Sequence, residues 1–293
     1  MKQYSALTWL SAIIILFAIP AAGFGLFTPA AGTPMPYTTI RQETVDIWGQ
    51  GLYKYDTSLG ASGFTAGDIV TLFLAVPILV FSILAYRKGS RKGGLFLTGV
   101  LSYFLYNYTS MGFGAAYNNF FLAYIIIFAA SLYGLIAALL AFDLKTLPSH
   151  FKAGLPQNGI GIFLIVSGII LSLIWLILSI VPALFANKAP LEAYYYTTFT
   201  TAIIDIGIVA PALILGGVLI RRNASLGYLL ASTLLIFTCI LGANLTTGGM
   251  MQVVKGVITI GQAMVFTVPF VILSLIAVWY TILLFRNFSE TRK

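Results

Sequence analysis

Eight stretches of this chain run for roughly 20 residues with almost no charge, and nothing else in the sequence constrains its fold as tightly. In hydrocarbon a backbone N–H or C=O finds no water, so such a run must satisfy its own hydrogen bonds. A helix of about 20 residues does this while crossing a core of about 30 Å. The runs fall at about 6–27, 68–86, 94–110, 120–142, 159–185, 201–220, 226–243 and 257–285. Charged residues are 8% of the 293 positions and apolar ones 59%, whereas soluble domains are about one quarter charged. The expected fold is all-α: a polytopic membrane protein of eight transmembrane helices, with residues 1–293 forming one transmembrane domain. The first run follows a short basic start and contains a cleavable-looking PAAG. It is longer than a signal-peptide core of about 7–15 residues, so it is expected to stay as the first helix.

One unit occurs twice. VPILVFSILAYRKGSRKGGLFLTGVLSYF begins at Val76 and APALILGGVLIRRNASLGYLLASTLLIF begins at Ala210. Pro77 aligns with Pro211 and Arg87-Lys88 with Arg221-Arg222. After a one-residue gap, Gly94 pairs with Gly227 and Phe104 with Phe237. Each copy reads as a membrane hairpin with a tight basic turn. The spacing of four helices predicts two parallel four-helix repeats related by an axis along the membrane normal, half 1 at 1–150 and half 2 at 151–293. Of the 16 lysines and arginines, only Arg41, Lys54, Lys188 and Lys255 fall on the face opposite those turns. Basic loops stay cytoplasmic, so both termini are expected in the cytoplasm, with anionic lipid head groups as partners of the basic rim. The net charge of +8 is spent in these clusters and does not point to nucleic acid.

The long polar connection at 28–63 is expected on the outer side. Its segment TTIRQETVDIWGQGLYKY reads either as an interfacial amphipathic helix or as a surface loop.

Ionisable groups inside a membrane cost about 2.5–3.5 kcal/mol at a helix centre, so each calls for an explanation. Asp68 and Asp205 are the two that qualify. From Arg221 back to Asp205 is about 24 Å of helix at about 1.5 Å per residue, which puts Asp205 just inside the outer boundary and Asp68 at it. Both can be read as acids near a helix N-terminus, with Asp68 in the first turn. Lys255, Arg41 and Tyr194 to Tyr196 are the candidate partners of Asp205. Asn107 with its neighbour Tyr106, Asn118, Asn119, Tyr124, Asn244, Thr246, Thr247 and Gln262 lie at similar depth. Asp205, Asp68, Asn107, Asn118, Tyr106 and Asn244 therefore make a candidate substrate-binding set in an outward-facing pocket roofed by the 28–63 loop. The competing reading is an aromatic belt with asparagines bridging helices. Pro77, Pro211 and Pro269 are candidate kinks.

His150 is the lone histidine and lies in a loop, which argues against haem or a histidine-rich metal site. No phosphate-cradling glycine loop and no Ser-His-Asp or Cys-His set is present, and no cofactor is expected. Cys239 has no partner for an intrachain disulfide. QETVDIWGQGLYKYDTSLGASGFTAGDIVTLFLAVPIL with RKGSRKGGLFLTGVLSYFLYNYTSMGFGAAYNNFFLAYIIIFAASLY, and TTAIIDIGIVAPALILGGVLIRRNASLGYLLA, resemble a group of bacterial multi-pass membrane proteins without a known activity. That resemblance implies architecture and brings no substrate or catalytic residue. Three roles remain open on the sequence: a small-molecule or ion permease, a non-catalytic membrane subunit with a protein partner in an exporter or sensor complex, and a membrane enzyme acting on lipid or an envelope precursor.

Overall fold

Apolar runs bounded by glycine, asparagine and basic turns become helices because each can close its hydrogen bonds within itself. The computed structural model describes residues 1–29, 31–190 and 193–291. Its long helices are α1 (Ser5–Phe27), α2 (Ser58–Arg87), α3 (Arg91–Gly114), α4 (Phe121–Leu140), α5 (Gln157–Ala186), α6 (Thr200–Arg221), α7 (Ser225–Val254) and α8 (Ile260–Arg286). Seven of them are long and apolar enough to cross a membrane. The other, α3, carries Arg91 and Lys92 in its first turn and the polar stretch SYFLYNYTS. Arg292 and Lys293, counted above in the basic rim, lie outside the described residues.

Two helices begin or end well beyond their apolar runs. Thr57 caps α2, its side chain accepting from Gly60 N at 3.0 Å, so Asp68 stands ten residues inside the helix and is not a first-turn acid. The stretch GASGFTAG looks like loop because its residues are small, yet small residues let helices approach closely in a membrane. Here they pack α2 against α7 and α1. Likewise α7 continues to Val254, because Thr246 and Thr247 return their hydroxyls to the carbonyls of Gly242 and Ala243 at 2.8 Å each. Asn244 is thus inside the helix and not at its end.

The 28–63 connection holds a β-hairpin, not an amphipathic helix. Strand β1 (Met35–Thr38) pairs antiparallel with β2 (Thr44–Ile47), Met35 opposite Ile47 and Thr38 opposite Thr44. Pro34 and Pro36 disfavour a helix here, while the alternation in TVDI suits a strand. Gln42 makes the turn at φ 62°.

Three of the helices widen into one π turn each, at Thr71–Ala75, Leu176–Ile180 and Asp205–Val209. In each, the residue just before a proline donates its N–H five positions back: Val76 to Thr71, Val181 to Leu176 and Ala210 to Asp205. Pro77, Pro182 and Pro211 follow directly. A proline has no N–H and its ring crowds the preceding turn, and a single π turn relieves both without breaking the helix. Pro269 lies inside α8 and Pro20 inside α1 with neither helix interrupted.

The helix ends gather at two faces. On one, Gln3 Nε2 donates to Tyr86 O at 2.8 Å, Lys2 N to Ala141 O at 2.7 Å and Lys152 N to Asn287 O at 2.8 Å. Glu290 accepts there from Ser90 Oγ and from the backbone N–H of Arg91 and Lys92, capping α3 from the far end of the chain. This is the basic face. The opposite face carries the β-hairpin, the connection between α5 and α6, and Lys255. The two central helices α3 and α7 cross at Thr98 and Thr233, whose hydroxyls are 2.7 Å apart. Of the apolar window of α7, 72% is buried; for α8 it is 11%, so α8 lies at the periphery.

The two basic hairpins match in local geometry over the same interval that separates Pro77 from Pro211. The π turns correspond, as do the left-handed residues Gly89 (φ 84°) and Asn223 (φ 56°). The helix starts Arg91 and Ser225 correspond too. So do the turn bonds Ser90 N to Ala85 O and Ala224 N to Leu219 O. No gap is needed: the partner of Gly227 is Gly93, and both lie against the backbone of the preceding helix. Elsewhere the packing around the hairpins differs: α1 packs along both α2 and α4, whereas α5 packs on α6 and leaves an apolar crevice toward α8.

Candidate functional site

Asp205 opens the π turn of α6 and is 4% exposed. Its Oδ2 accepts from Trp175 Nε1 at 2.7 Å, and its Oδ1 is buried with no hydrogen-bond partner. Trp175 is the residue just before the π turn of α5, so the bond joins two helices at their widened turns. Phe199 holds the indole edge-on at 4.8 Å. The Tyr106 hydroxyl stands beside the same carboxylate. None of the partners expected from the sequence fills this role. Trp175 sits in SLIWLIL, an otherwise apolar run that hides it. Its signal was the indole N–H, which when buried needs an acceptor.

Asp205 lines a cavity of about 460 Å³ near the hairpin face, bounded by residues of α2, α3, α5, α6, α7 and α8. Tyr106, Asn107, Asn244 and Gln252 share it, so four of the six residues singled out in the sequence meet in one space. Asn244 Nδ2 donates to Asn107 Oδ1 and to Tyr103 Oη, both at 3.4 Å. Tyr103 Oη in turn reaches Gly67 O at 3.5 Å. Gly67 allows this approach: a Cβ there would meet Asn107 Oδ1 at 2.7 Å. At its lower end the cavity shares Leu171, Leu241, Leu245 and Phe270 with the apolar crevice between α5 and α8.

Asp68 and Asn118 do not line this cavity. Asp68 is 1% exposed and accepts from Tyr53 Oη at 2.7 Å, packed against Gly25 of α1. Around it, Thr71 Oγ1, Tyr108 Oη and Tyr124 Oη are buried without hydrogen-bond partners. Asn118 caps the turn into α4 through Phe120 N at 3.0 Å. It faces a separate groove of about 870 Å³ beneath the 28–63 connection, with Lys54, Tyr55 and Phe24.

The roof over Asp205 comes from the start of α2 and from the connection between α5 and α6. Thr57 and Gly60 lie on one side, Tyr196 and Phe199 on the other. Tyr196 Oη donates to Asp56 Oδ1 at 2.9 Å, and Ala116 N donates to the same oxygen at 2.7 Å. Burial pushes the Asp56 carboxyl up to about 7, against the pull of those two donors and of the Lys255 charge. Lys255 leaves the cavity wall, donating to Ala61 O at 2.9 Å and Thr65 Oγ1 at 2.8 Å with its ammonium 4.5 Å over the Trp48 ring. Burial brings it down to about 8 although Asp68 and Asp56 both pull upward.

Among the described residues no group of three or more His, Cys, Asp or Glu side chains is arranged to hold a metal ion. Compared with models of protein families, with curated proteins and with solved structures, the chain matches none of them. What its own geometry supports is a multi-pass helical membrane protein in contact with the lipid bilayer.

Proposed function

We propose that this protein is a membrane permease for a small molecule, with the cavity beside Asp205 as its binding site. One observation carries the reading: Asp205, Tyr106, Asn107 and Asn244, drawn from three helices, meet in a single cavity of about 460 Å³. That volume is within the usual range of about 300–1,000 Å³ for small-molecule sites. An intramembrane carboxylate with one oxygen unpartnered is costly unless something binds it. The matched hairpins support two parallel halves, with α3 as an eighth span and the cavity near their junction. The basic turns, by the positive-inside rule, face the cytoplasm, which makes the hairpin face and the cavity outward.

Purified protein in liposomes, loaded against a panel of labelled amines, amino acids and sugars, is expected to take up at least one class of solute. Asp205→Asn is expected to abolish that uptake. Uptake no greater than in empty liposomes for every class would remove the reading. Asp68 lies outside the cavity that Asp205 lines, so the two carboxylates do not face one another there as a paired-carboxylate membrane enzyme would need.

A further inference from the structure

We infer that the ligand of this cavity is an amphipathic organic cation: an ammonium head bound at Asp205 with an apolar body directed into the crevice between α5 and α8. The inference rests on the proposed binding site but not on transport. Its first support is charge. Among the described residues Asp205 is the one ionisable acid or base in the cavity lining apart from tyrosine hydroxyls, and no described lysine or arginine lines it. Lys255, three residues beyond Gln252, is turned away onto Ala61, Thr65 and Trp48. The single salt bridge among the described residues, Lys188 with Glu43, is elsewhere. An unpaired carboxylate in a low-dielectric space favours a cation and rejects an anion.

The second support is the donor and acceptor set. Trp175 satisfies Oδ2, while Oδ1 is buried with no hydrogen bond formed and only the Tyr106 hydroxyl close by, so the site can take a further N–H or O–H donor there, and the carboxylate charge favours a cationic one. Trp175, Tyr106, Tyr196 and Phe199 add aromatic faces, which attract ammonium groups. The third is shape. The end of the cavity away from the roof is walled by Leu171, Leu241, Leu245 and Phe270, the residues that continue into the α5–α8 crevice. A small, fully hydrated cation would leave that apolar wall unused.

The test uses full-length protein in lipid nanodiscs with Trp9, Trp48 and Trp279 replaced by phenylalanine, so that Trp175 alone reports. The probes are n-hexylammonium, methylammonium, 1-hexanol and hexanoate. Hexylammonium is expected to change Trp175 fluorescence saturably, with at least tenfold tighter binding than each of the other three probes. Asp205→Asn is expected to weaken hexylammonium at least tenfold. Because Asp205→Asn can fail to fold, Gln252→Lys serves as a second variant: it leaves the Trp175–Asp205 bond in place, adds a positive charge to the wall, and is expected to weaken hexylammonium by a similar factor. Equal binding of hexanol or hexanoate, or hexylammonium binding unchanged in Gln252→Lys, overturns the inference. Asp205-dependent hexylammonium binding without uptake into liposomes supports the cation site and overturns the permease. Uptake of a neutral or anionic solute, with no hexylammonium binding, does the reverse.

Discussion

Trp175 Nε1 lies 2.7 Å from Oδ2 of Asp205, and through that bond α5 and α6 meet at their π turns. The bond gives one carboxylate oxygen a donor and leaves the other without one. Replacing Trp175 by phenylalanine strips the Oδ2 donor from a buried carboxylate. The loss of such a bond costs about 1–3 kcal/mol, so the thermal midpoint of Trp175→Phe in detergent is expected to fall by several degrees. Trp175→Phe combined with Asp205→Asn is expected to recover part of that loss, since the buried charge is gone. A double variant no more stable than Trp175→Phe would show that the carboxylate is not what the indole stabilises.

Asp56 makes the roof sensitive to pH. Its carboxyl sits at about 7 in the folded protein, against about 3.9 in an unfolded chain. Between about pH 4 and 7 the folded state keeps a proton that the unfolded state releases. Its stabilising contribution is therefore full below about pH 4 and is lost as pH rises through 7. Tyr196, Tyr195, Tyr124 and Lys255 are the titratable groups that face it. Lys255 is depressed to about 8 and acts in a separate window above that pH. Thermal midpoints measured from pH 4.5 to 7.5 are expected to decline for the native protein and for Lys255→Gln, and to decline less for Asp56→Asn.

Gly25 of α1 has no room for a side chain, because a Cβ there would run into Asp68 Oδ2, with Tyr53 Oη 3.1 Å away. Gly23, one half-turn earlier, has nothing within 4 Å. Gly25→Ala is expected to lower stability by about 1–3 kcal/mol, the range for overpacking a tight interior. Gly23→Ala is expected to be neutral or slightly stabilising, since alanine is the better helix former. Equal effects in an unfolding titration would mean that α1 does not pack on the Asp68 pair.

Glu290 closes the basic face by capping α3 through Ser90, Arg91 and Lys92. Glu290→Ala removes that cap, and helix caps contribute about 1 kcal/mol. Faster proteolysis of the C-terminal tail and a modest loss of stability are expected, with ligand binding at the distant cavity unchanged.

Helical class, approximate spans and the basic rim followed from the sequence, because solvation in a bilayer acts on each run separately: apolar length and basic turns are local quantities. Helix ends did not. GASGFTAG and ANLTTGG look like loops, and they are helical because close packing of small residues and threonine hydroxyl bonds to backbone carbonyls satisfy them there. The sequence singled out Asp68 and Asp205 at similar expected depth. Packing separated them, giving Asp68 to Tyr53 and Gly25 and giving Asp205 to Trp175 and the cavity. Membership of that cavity depends on which faces of six helices meet, a non-local outcome that no single run encodes, and so the site was decided only in the tertiary structure.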